Sequence, residues 1–221
     1  MSLPTVEHET ATRLTHSVIW LHGLGADGHD FEPIVPELVA QEWPGLRFVF
    51  PHAPVRPVTL NGGMPMRAWY DIAGVDLTSR QDETGMRASI EAVQKLIARE
   101  NERGVPDERI VLAGFSQGGA IALAGGLRHP RRLAGIVALS TYLPMQSSFE
   151  AERSAANAAT PIFWGHGTAD PIVPLTRGVQ SRDVLQGLGY PVEWHTYAMP
   201  HSVCAEEIAH LRAWMTQRLT G

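Results

Sequence analysis

Short runs of apolar, β-branched or aromatic residues alternate along the chain with longer segments in which apolar residues recur every three or four positions. The short runs predict β-strands, and the longer segments predict amphipathic helices. Most of the short runs are apolar throughout, which indicates strands buried on both faces. The pattern predicts an α/β fold with a mostly parallel sheet and helices on both faces. The predicted strands are residues 17–22, 46–50, 109–113, 134–139, 161–166 and 192–198.

Three helices are predicted from apolar residues at helical spacing, and a fourth, at 120–127, follows the third predicted strand. Gly104 and Pro106 end the second helix. The apolar positions of the first three are Phe31, Ile34, Val35 and Leu38; Met86, Ile90, Val93 and Ile97; and Ile208, Leu211, Met215 and Leu219.

Two connections interrupt the alternation. Residues 51–82 are rich in proline, and an insert of this length is typically functional or disordered. Trp69 and Tyr70 favour order. Residues 141–160 are too few for an additional domain, so no large lid is expected.

Composition adds limits to this picture. A chain of 221 residues with 44% hydrophobic and 19% charged residues predicts one globular domain over residues 1–221, with an ordered core at about 15–219. No apolar run approaches the ~20 residues that a bilayer requires. A single cysteine, Cys204, excludes an intramolecular disulfide, and the amino end lacks the apolar segment of a secretory signal. A cytoplasmic protein is therefore predicted.

Charge narrows the possible partners. The net charge is −5 and no basic run is present, which argues against nucleic acid as a partner. Lys95 is the only lysine, and it lies within the second predicted helix. The chain has no Gly-Lys-Ser/Thr step, so a P-loop is excluded, and a lysine Schiff base is disfavoured.

Residues 114–119 read Gly-Phe-Ser-Gln-Gly-Gly, directly after a predicted buried strand and before a predicted helix. A Gly-x-Ser-x-Gly segment in this context predicts a nucleophile elbow, in which the serine occupies a sharp turn between strand and helix. Ser116 is thus the candidate nucleophile. The Gln117 amide, at the amino end of the helix, is a candidate donor to an oxyanion.

A serine nucleophile needs a base, and the base needs a carboxylate that fixes its tautomer. Asp170 follows the predicted strand 161–166, and His201 follows the strand 192–198. Ser116, Asp170 and His201 therefore stand in the order that α/β-hydrolases use, at the carboxyl ends of parallel strands.

Other residues compete for these roles less well. His22 and His166 end predicted strands and are interpreted as hydrogen-bonded structural groups near the site. Asp71 precedes the serine, which is the wrong order for this fold. Cys204 opens a predicted helix and is interpreted as a small core residue. The remaining histidines considered as a base lie mid-strand, on the last helix or in polar segments: His8, His16, His129, His195 and His210.

A second glycine cluster, 22–28, matches Gly-x-Gly-x-x-Gly and leaves open a dinucleotide-dependent oxidoreductase. The next strand, however, ends in Pro51-His52 and not in the acidic residue that would bind a ribose. The alternative use of this loop is to supply a second oxyanion donor, the Leu24 amide. A metal site at His22, Asp27, His29 and Asp30 lacks any accepted ligand spacing.

Six segments together resemble the acyl-protein thioesterase and carboxylesterase family of α/β-hydrolases, also called the phospholipase/carboxylesterase family. The resemblance extends from about Thr15 to the carboxyl end. The segments are 22–25 (His-Gly-Leu-Gly), 54–59 (Pro-Val-Arg-Pro-Val-Thr), 69–72 (Trp-Tyr-Asp-Ile), 114–119, 170–174 (Asp-Pro-Ile-Val-Pro) and 201–202 (His-Ser).

The resemblance implies Ser116, Asp170 and His201 as a catalytic triad, the Leu24 and Gln117 amides as the oxyanion hole, and hydrolysis of fatty acyl esters or thioesters without a cofactor. An amino-terminal cysteine for lipid attachment, found in some eukaryotic members, is absent, so no stable membrane anchor is expected.

The sequence therefore predicts a serine hydrolase acting on carboxylic esters or thioesters of short to medium acyl chains through an acyl-enzyme. Acyl-protein thioesterase and lysophospholipase are the alternative physiological roles, and a non-catalytic hydrolase-like binding protein is the alternative outside catalysis. Without a lid, a shallow apolar groove is expected, bounded by residues 141–160 and the insert 51–82. The candidate substrate-binding residues are Met64, Met66, Trp69 and Tyr70.

Overall fold

The computed structural model describes residues 3–74 and 81–220. Seven strands form the central sheet in the order β1-β3-β2-β6-β7-β8-β9, and β4 and β5 form a separate hairpin. Strand β1 runs antiparallel to β3, whereas all other neighbours in the sheet are parallel. The strands are β1 Thr5–Glu9, β2 His16–Leu21, β3 Leu46–Pro51, β4 Val55–Val58, β5 Met64–Arg67, β6 Ile110–Phe115, β7 Gly135–Leu139, β8 Ile162–Gly167 and β9 Val192–Tyr197.

All six predicted strands are present, and the predicted parallel arrangement is confirmed. Strand β1 was not predicted and lies outside the expected core range of 15–219. Its residues are polar and partly exposed because its position at the sheet edge leaves it open to solvent. Ion pairs attach it to its neighbours: Glu7 contacts Arg99 at 2.9 Å, and Glu9 contacts Arg47 at 3.0 Å.

The helices are α1 Val35–Leu38, α2 Glu83–Glu102, α3 Gln117–Gly126, α4 Gln146–Glu152, α5 Leu175–Gly187 and α6 Ala205–Leu219. Helix α1 is shorter than predicted: a 3₁₀ turn, Glu32–Ile34, precedes it, and Pro36 cannot donate the amide that a longer helix needs. Helix α5 was not predicted. Its inward positions include Gly178 and Ser181, which give no apolar periodicity.

Helices pack on both faces of the sheet. Adjacent residues of β2 show the division: Trp20 belongs to the core beneath α1 and α6, whereas Ile19 belongs to the core beneath α2 and α3. A third cluster joins the end of α3 to α5 through Leu123 and Leu185. Burial of each large apolar side chain contributes ~1.5–3 kcal/mol to folding, so the two cores hold the sheet rigidly.

The insert follows the carboxyl end of β3, and residues 141–160 lead from the carboxyl end of β7 to the start of β8. The insert contains the β4–β5 hairpin, and residues 141–160 contain α4 and a 3₁₀ turn, Ala155–Asn157, without a large lid. Within 3–74 and 81–220, no helix combines the length and apolar content needed to cross a bilayer.

Candidate active site

Ser116 occupies a strained turn between β6 and α3. Its backbone φ of +54° and ψ of −119° lie in a region that residues with a side chain rarely adopt, at a cost of ~1–3 kcal/mol. Two hydrogen bonds hold the turn: the Ser116 amide donates to Leu139 O at 2.9 Å, and Thr141 Oγ1 donates to Ser116 O at 2.7 Å. The turn places the serine side chain at the end of the strand.

The glycines on either side of the serine permit a close approach of backbone to backbone. A Cβ atom on Gly114 would overlap the carbonyl of Gly118, and a Cβ atom on Gly118 would overlap the carbonyl of Leu21 at the end of β2. The packing of α3 against β6 and β2 therefore requires both glycines.

A chain of hydrogen bonds links Ser116, His201 and Asp170. Ser116 Oγ lies 2.8 Å from His201 Nε2, and His201 Nδ1 lies 2.6 Å from Asp170 Oδ2. Asp170 Oδ1 accepts the amides of Ile172 and Val173 at 2.8 and 2.9 Å, which fixes the carboxylate after β8. Because ionised Asp170 can only accept, Nδ1 is the donor and Nε2 is free to accept the serine proton.

Two residues beside Ser116 have backbone amides without an acceptor in the described part of the chain. The Gln117 amide is the first of α3 and has no partner within the helix, and the Leu24 amide has no acceptor among the described residues. Leu24 and Gln117 both line the cavity that Ser116 also lines. The two donors predicted from the sequence therefore border the same space.

The side chain of Gln117 forms two hydrogen bonds that connect the insert 51–82 to the turn that carries Ser116. Its Oε1 accepts the Trp69 amide at 2.7 Å, and its Nε2 donates to Tyr70 O at 2.8 Å. Trp69 Nε1 in turn donates to His22 O at 2.9 Å. Sequence analysis missed this role of the Gln117 side chain, since no local pattern indicates a contact across 48 positions.

His22 and His166 occupy the structural positions expected of them. His22 Nε2 accepts the Ala53 amide at 3.0 Å, so its Nδ1 carries the proton and donates to Gly23 O at 2.7 Å. His166 Nε2 donates to Val173 O at 2.9 Å. Burial lowers the pKa of both imidazoles and favours the neutral form.

Two cavities meet at Ser116. The first, which we name the apolar cavity, has a volume of about 320 Å³. The second, which we name the histidine cavity, has a volume of about 290 Å³. Leu24, Ser116 and Ile172 border both. The apolar cavity is further lined by Leu60, Tyr70, Ile72, Gly74, Gln117, Tyr142, Pro171, Val173 and Pro174. The histidine cavity is further lined by Gly23, Ala26, Asp30, Phe115 and His201.

Of the four candidate substrate-binding residues, Tyr70 is the one that the described structure places against either of these two cavities. Its hydroxyl lies 2.9 Å from that of Tyr142, and burial raises the pKa of both phenols, which keeps the pair neutral. Trp69 is fully buried in the core beneath α2. Met64 and Met66 lie on β5 of the hairpin and line neither cavity, and Met64 is largely exposed.

The remaining alternatives from the sequence find no support in the geometry. Asp71 accepts the Thr59 amide and hydroxyl at 2.7 and 2.6 Å, which stabilises the insert. The glycine loop 22–28 leads into the 3₁₀ turn Glu32–Ile34 and not into a helix that could bind a pyrophosphate. In the described part of the chain, no three His, Cys, Asp or Glu side chains form a group suited to a metal ion.

A mostly parallel sheet with a nucleophile elbow, followed by an acid and a histidine after later strands, defines an α/β-hydrolase. Comparisons with known proteins agree. The sequence profile of the Phospholipase/Carboxylesterase family matches residues 4–218. Acyl-protein thioesterase 1 of Neurospora crassa is 41% identical over 98% of this chain and 90% of its own, and the protein of that name from Cryptococcus neoformans is 40% identical over 93% of each chain.

Among solved structures, Arabidopsis thaliana SOBER1 superimposes with a TM-score of 0.88 at 33% identity, over 93% of this chain and 99% of that one. The chain belongs to the Phospholipase/Carboxylesterase family. It is a hydrolase that acts on ester or thioester bonds.

Proposed function

We propose that the protein is a serine carboxylesterase or thioesterase in which Ser116 is the nucleophile, His201 the general base and Asp170 the residue that orients the base. The observation that carries this proposal is the continuous chain of hydrogen bonds from Ser116 Oγ through His201 to Asp170.

The reaction proceeds in two halves. His201 Nε2 takes the proton of Ser116 Oγ as the oxygen attacks the acyl carbon, and a tetrahedral oxyanion forms. His201 then gives this proton to the leaving oxygen or sulfur, so the bond between the acyl carbon and the leaving group breaks and Ser116 carries the acyl group. Water repeats the sequence, and a carboxylic acid is released. Asp170 stabilises the imidazolium at each step.

The Leu24 and Gln117 amides stabilise the oxyanion in this proposal. Their support is that neither has a partner in the described structure and that both border the space in front of Ser116. A donor of this kind contributes about 10² to 10³ in turnover.

The acyl chain occupies the apolar cavity, whose walls are predominantly hydrophobic. Each methylene that this cavity removes from water contributes ~0.8 kcal/mol, or about fourfold in kcat/KM. Short to medium chains are therefore the preferred substrates. The absence of a large lid supports hydrolysis of monomeric esters without activation at lipid interfaces.

An acylated protein is the favoured physiological substrate, because the curated relatives at about 40% identity are acyl-protein thioesterases. Lysophospholipid hydrolysis is the second candidate, supported by the family's description as phospholipases. A single cysteine, which cannot form an intramolecular disulfide, supports a cytoplasmic location.

The test is kcat/KM for p-nitrophenyl esters from acetate upward, each below its critical micelle concentration. We expect a rise of up to about fourfold per methylene until the cavity is filled. Ser116→Ala and His201→Ala should each lower kcat by about 10³ to 10⁶, because the two residues act as a unit. Ser147→Ala, at an exposed serine of α4, should be unaffected.

A full rate in Ser116→Ala would refute the proposed nucleophile. If kcat/KM did not change with acyl-chain length, the assignment of the apolar cavity to the acyl chain would be refuted. A sharp rise in rate as micelles appear would refute hydrolysis without activation at lipid interfaces.

A further inference from the structure

The two cavities at Ser116 differ in one respect that bears on the reaction: His201 lines only the histidine cavity. In the proposed function, on which this inference rests, His201 protonates the leaving group. The leaving oxygen or sulfur must therefore lie beside His201 Nε2 when its bond to the acyl carbon breaks. The histidine cavity is then the side from which the alcohol or thiol departs, and the apolar cavity remains for the acyl chain.

Among the described residues, Asp30 is the one acidic side chain that lines the histidine cavity. It lies in the loop between β2 and the 3₁₀ turn Glu32–Ile34, and its side chain makes no hydrogen bond or ion pair with the described residues. Asp30 is exposed to solvent, and it lines the same cavity as Ser116 and His201.

The charges around Asp30 do not neutralise it. Partial burial and the neighbouring Asp27 carboxylate raise the pKa of Asp30, and no basic side chain offsets them. His29 pairs with Glu32 at 3.0 Å and is not available to Asp30 through that nitrogen. The exposed carboxylate of Asp30 therefore contributes an uncompensated negative charge to the wall of the histidine cavity.

We propose that Asp30 is a specificity-determining residue that makes the enzyme prefer esters and thioesters whose leaving group is positively charged over those whose leaving group is neutral or anionic. A cation that enters the histidine cavity gains an unpaired carboxylate as its partner. An anion in the same place meets a like charge. For an acylated protein substrate, this favours an acylated cysteine flanked by basic residues.

Three hexanoate esters that share one acyl chain test the proposal at pH 7.5. Their alcohols are choline, its uncharged isostere 3,3-dimethylbutanol and the anionic 3-sulfopropanol. The quantity compared is the ratio of kcat/KM between two esters within each variant, which cancels differences in expression and in overall activity. Asp30→Asn removes the charge and retains the shape, and Asp30→Ser is a second variant should the first fold poorly. Glu37→Gln is the matched control, since it removes one negative charge from exposed Glu37 of the nearby helix α1, outside both cavities, and leaves the pair of His29 with Glu32 intact.

In Asp30→Asn we expect the choline-to-dimethylbutyl ratio to fall about two- to fivefold, as for a solvent-accessible ion pair, and the sulfopropyl-to-dimethylbutyl ratio to rise by a similar factor. Glu37→Gln should leave both ratios at their wild-type values. In the wild type, raising NaCl from ~0.05 to ~0.5 M should reduce the preference for choline, because salt screens an exposed pair.

Unchanged ratios in Asp30→Asn would overturn the proposal. An equal change in Glu37→Gln would overturn it too, because the ratios would then depend on the overall charge of the protein and not on the histidine cavity. A second pair of substrates tests whether the acyl chain, and not the leaving group, occupies the histidine cavity. These are the p-nitrophenyl esters of a cationic acid and of its uncharged isostere. If Asp30→Asn alters discrimination between these acyl groups and not between the alcohols, the acyl chain occupies the histidine cavity and the proposal is wrong. Failure of the proposed function is distinct, because Ser116→Ala would then still hydrolyse all the esters.

Discussion

Replacing Glu207 with glutamine should stabilise the protein at alkaline pH and leave its stability unchanged at pH 5. Glu207 lies in the first turn of α6, just after the loop that carries His201, and is completely buried. Neither carboxyl oxygen has a hydrogen-bond partner among the described residues. One oxygen packs so closely against β8 that a Cβ atom on Gly165 would overlap it.

Burial raises the pKa of Glu207 from 4.5 to about 8. The nearby Cys204 backbone, which does not reach hydrogen-bonding geometry with the carboxyl group, offsets only part of this effect. The folded protein therefore binds one more proton than the unfolded chain between pH 4.5 and about 8. Its free energy of unfolding falls as the pH rises through this interval, and the loss is complete above pH 8. At 1.36 kcal/mol per pH unit, the interval corresponds to about 5 kcal/mol. Glutamine carries no titrating proton and avoids this loss.

The assay is urea unfolding of the wild type and Glu207→Gln at pH 5, 7, 8 and 9. We expect equal free energies at pH 5 and an advantage of about 4 to 5 kcal/mol for the variant at pH 9. Glu206→Gln is the control, since Glu206 is exposed on the same helical turn. All other titrating groups are shared and cancel in the difference. Parallel curves for wild type and Glu207→Gln across this range would refute the inference that the buried carboxyl is protonated at neutral pH.

Three further substitutions test other contacts. Gln117→Leu removes both hydrogen bonds from the serine turn to the insert and should lower the free energy of unfolding by about 2–4 kcal/mol in urea; no change would contradict a fastening role for the side chain. Arg47→Met removes the 2.8 Å partner of buried Glu100, which keeps Ser17 and Arg103, and should cost ~1.5–3 kcal/mol, against less than ~1 kcal/mol for Arg87→Met in an exposed pair; equal losses would show that burial is irrelevant. Leu60→Trp at the rim of the apolar cavity should shorten the preferred acyl chain in p-nitrophenyl ester assays, by about fourfold in kcat/KM for each methylene excluded; an unchanged optimum would place the chain elsewhere.

The sequence predicts the centre of the sheet well, because strands covered on both faces have apolar residues at nearly every position. Its edge was missed because β1 is half exposed and is held by ion pairs such as Glu7 with Arg99, which leave no hydrophobic pattern. Helix α5 was missed for a related reason: it packs through Gly178 and Ser181, so the close contact depends on small residues and not on apolar ones.

The arrangement of Ser116, Asp170 and His201 was predictable because each follows a strand, and parallel strands bring their carboxyl ends to one edge. The residues that line the cavities could not be predicted from the sequence. Trp69 and Tyr70 are adjacent aromatic residues, yet the first is anchored in the core by His22 O and the second faces the apolar cavity. Which of two neighbours faces the substrate depends on how the insert folds back onto the serine turn, and that depends on the distant Gln117 side chain.

Covalent labelling tests the central claim, that Ser116 carries the acyl group, most directly. A fluorophosphonate reacts with an activated serine and stays attached, and trypsin then releases residues 110–128, a peptide with a single serine, Ser116. We predict one adduct per molecule of wild-type protein, located in this peptide and formed in step with the loss of esterase activity, and no adduct in Ser116→Ala. An adduct on any other peptide that accompanies inactivation, or a Ser116→Ala protein that is still labelled and active, would contradict the account.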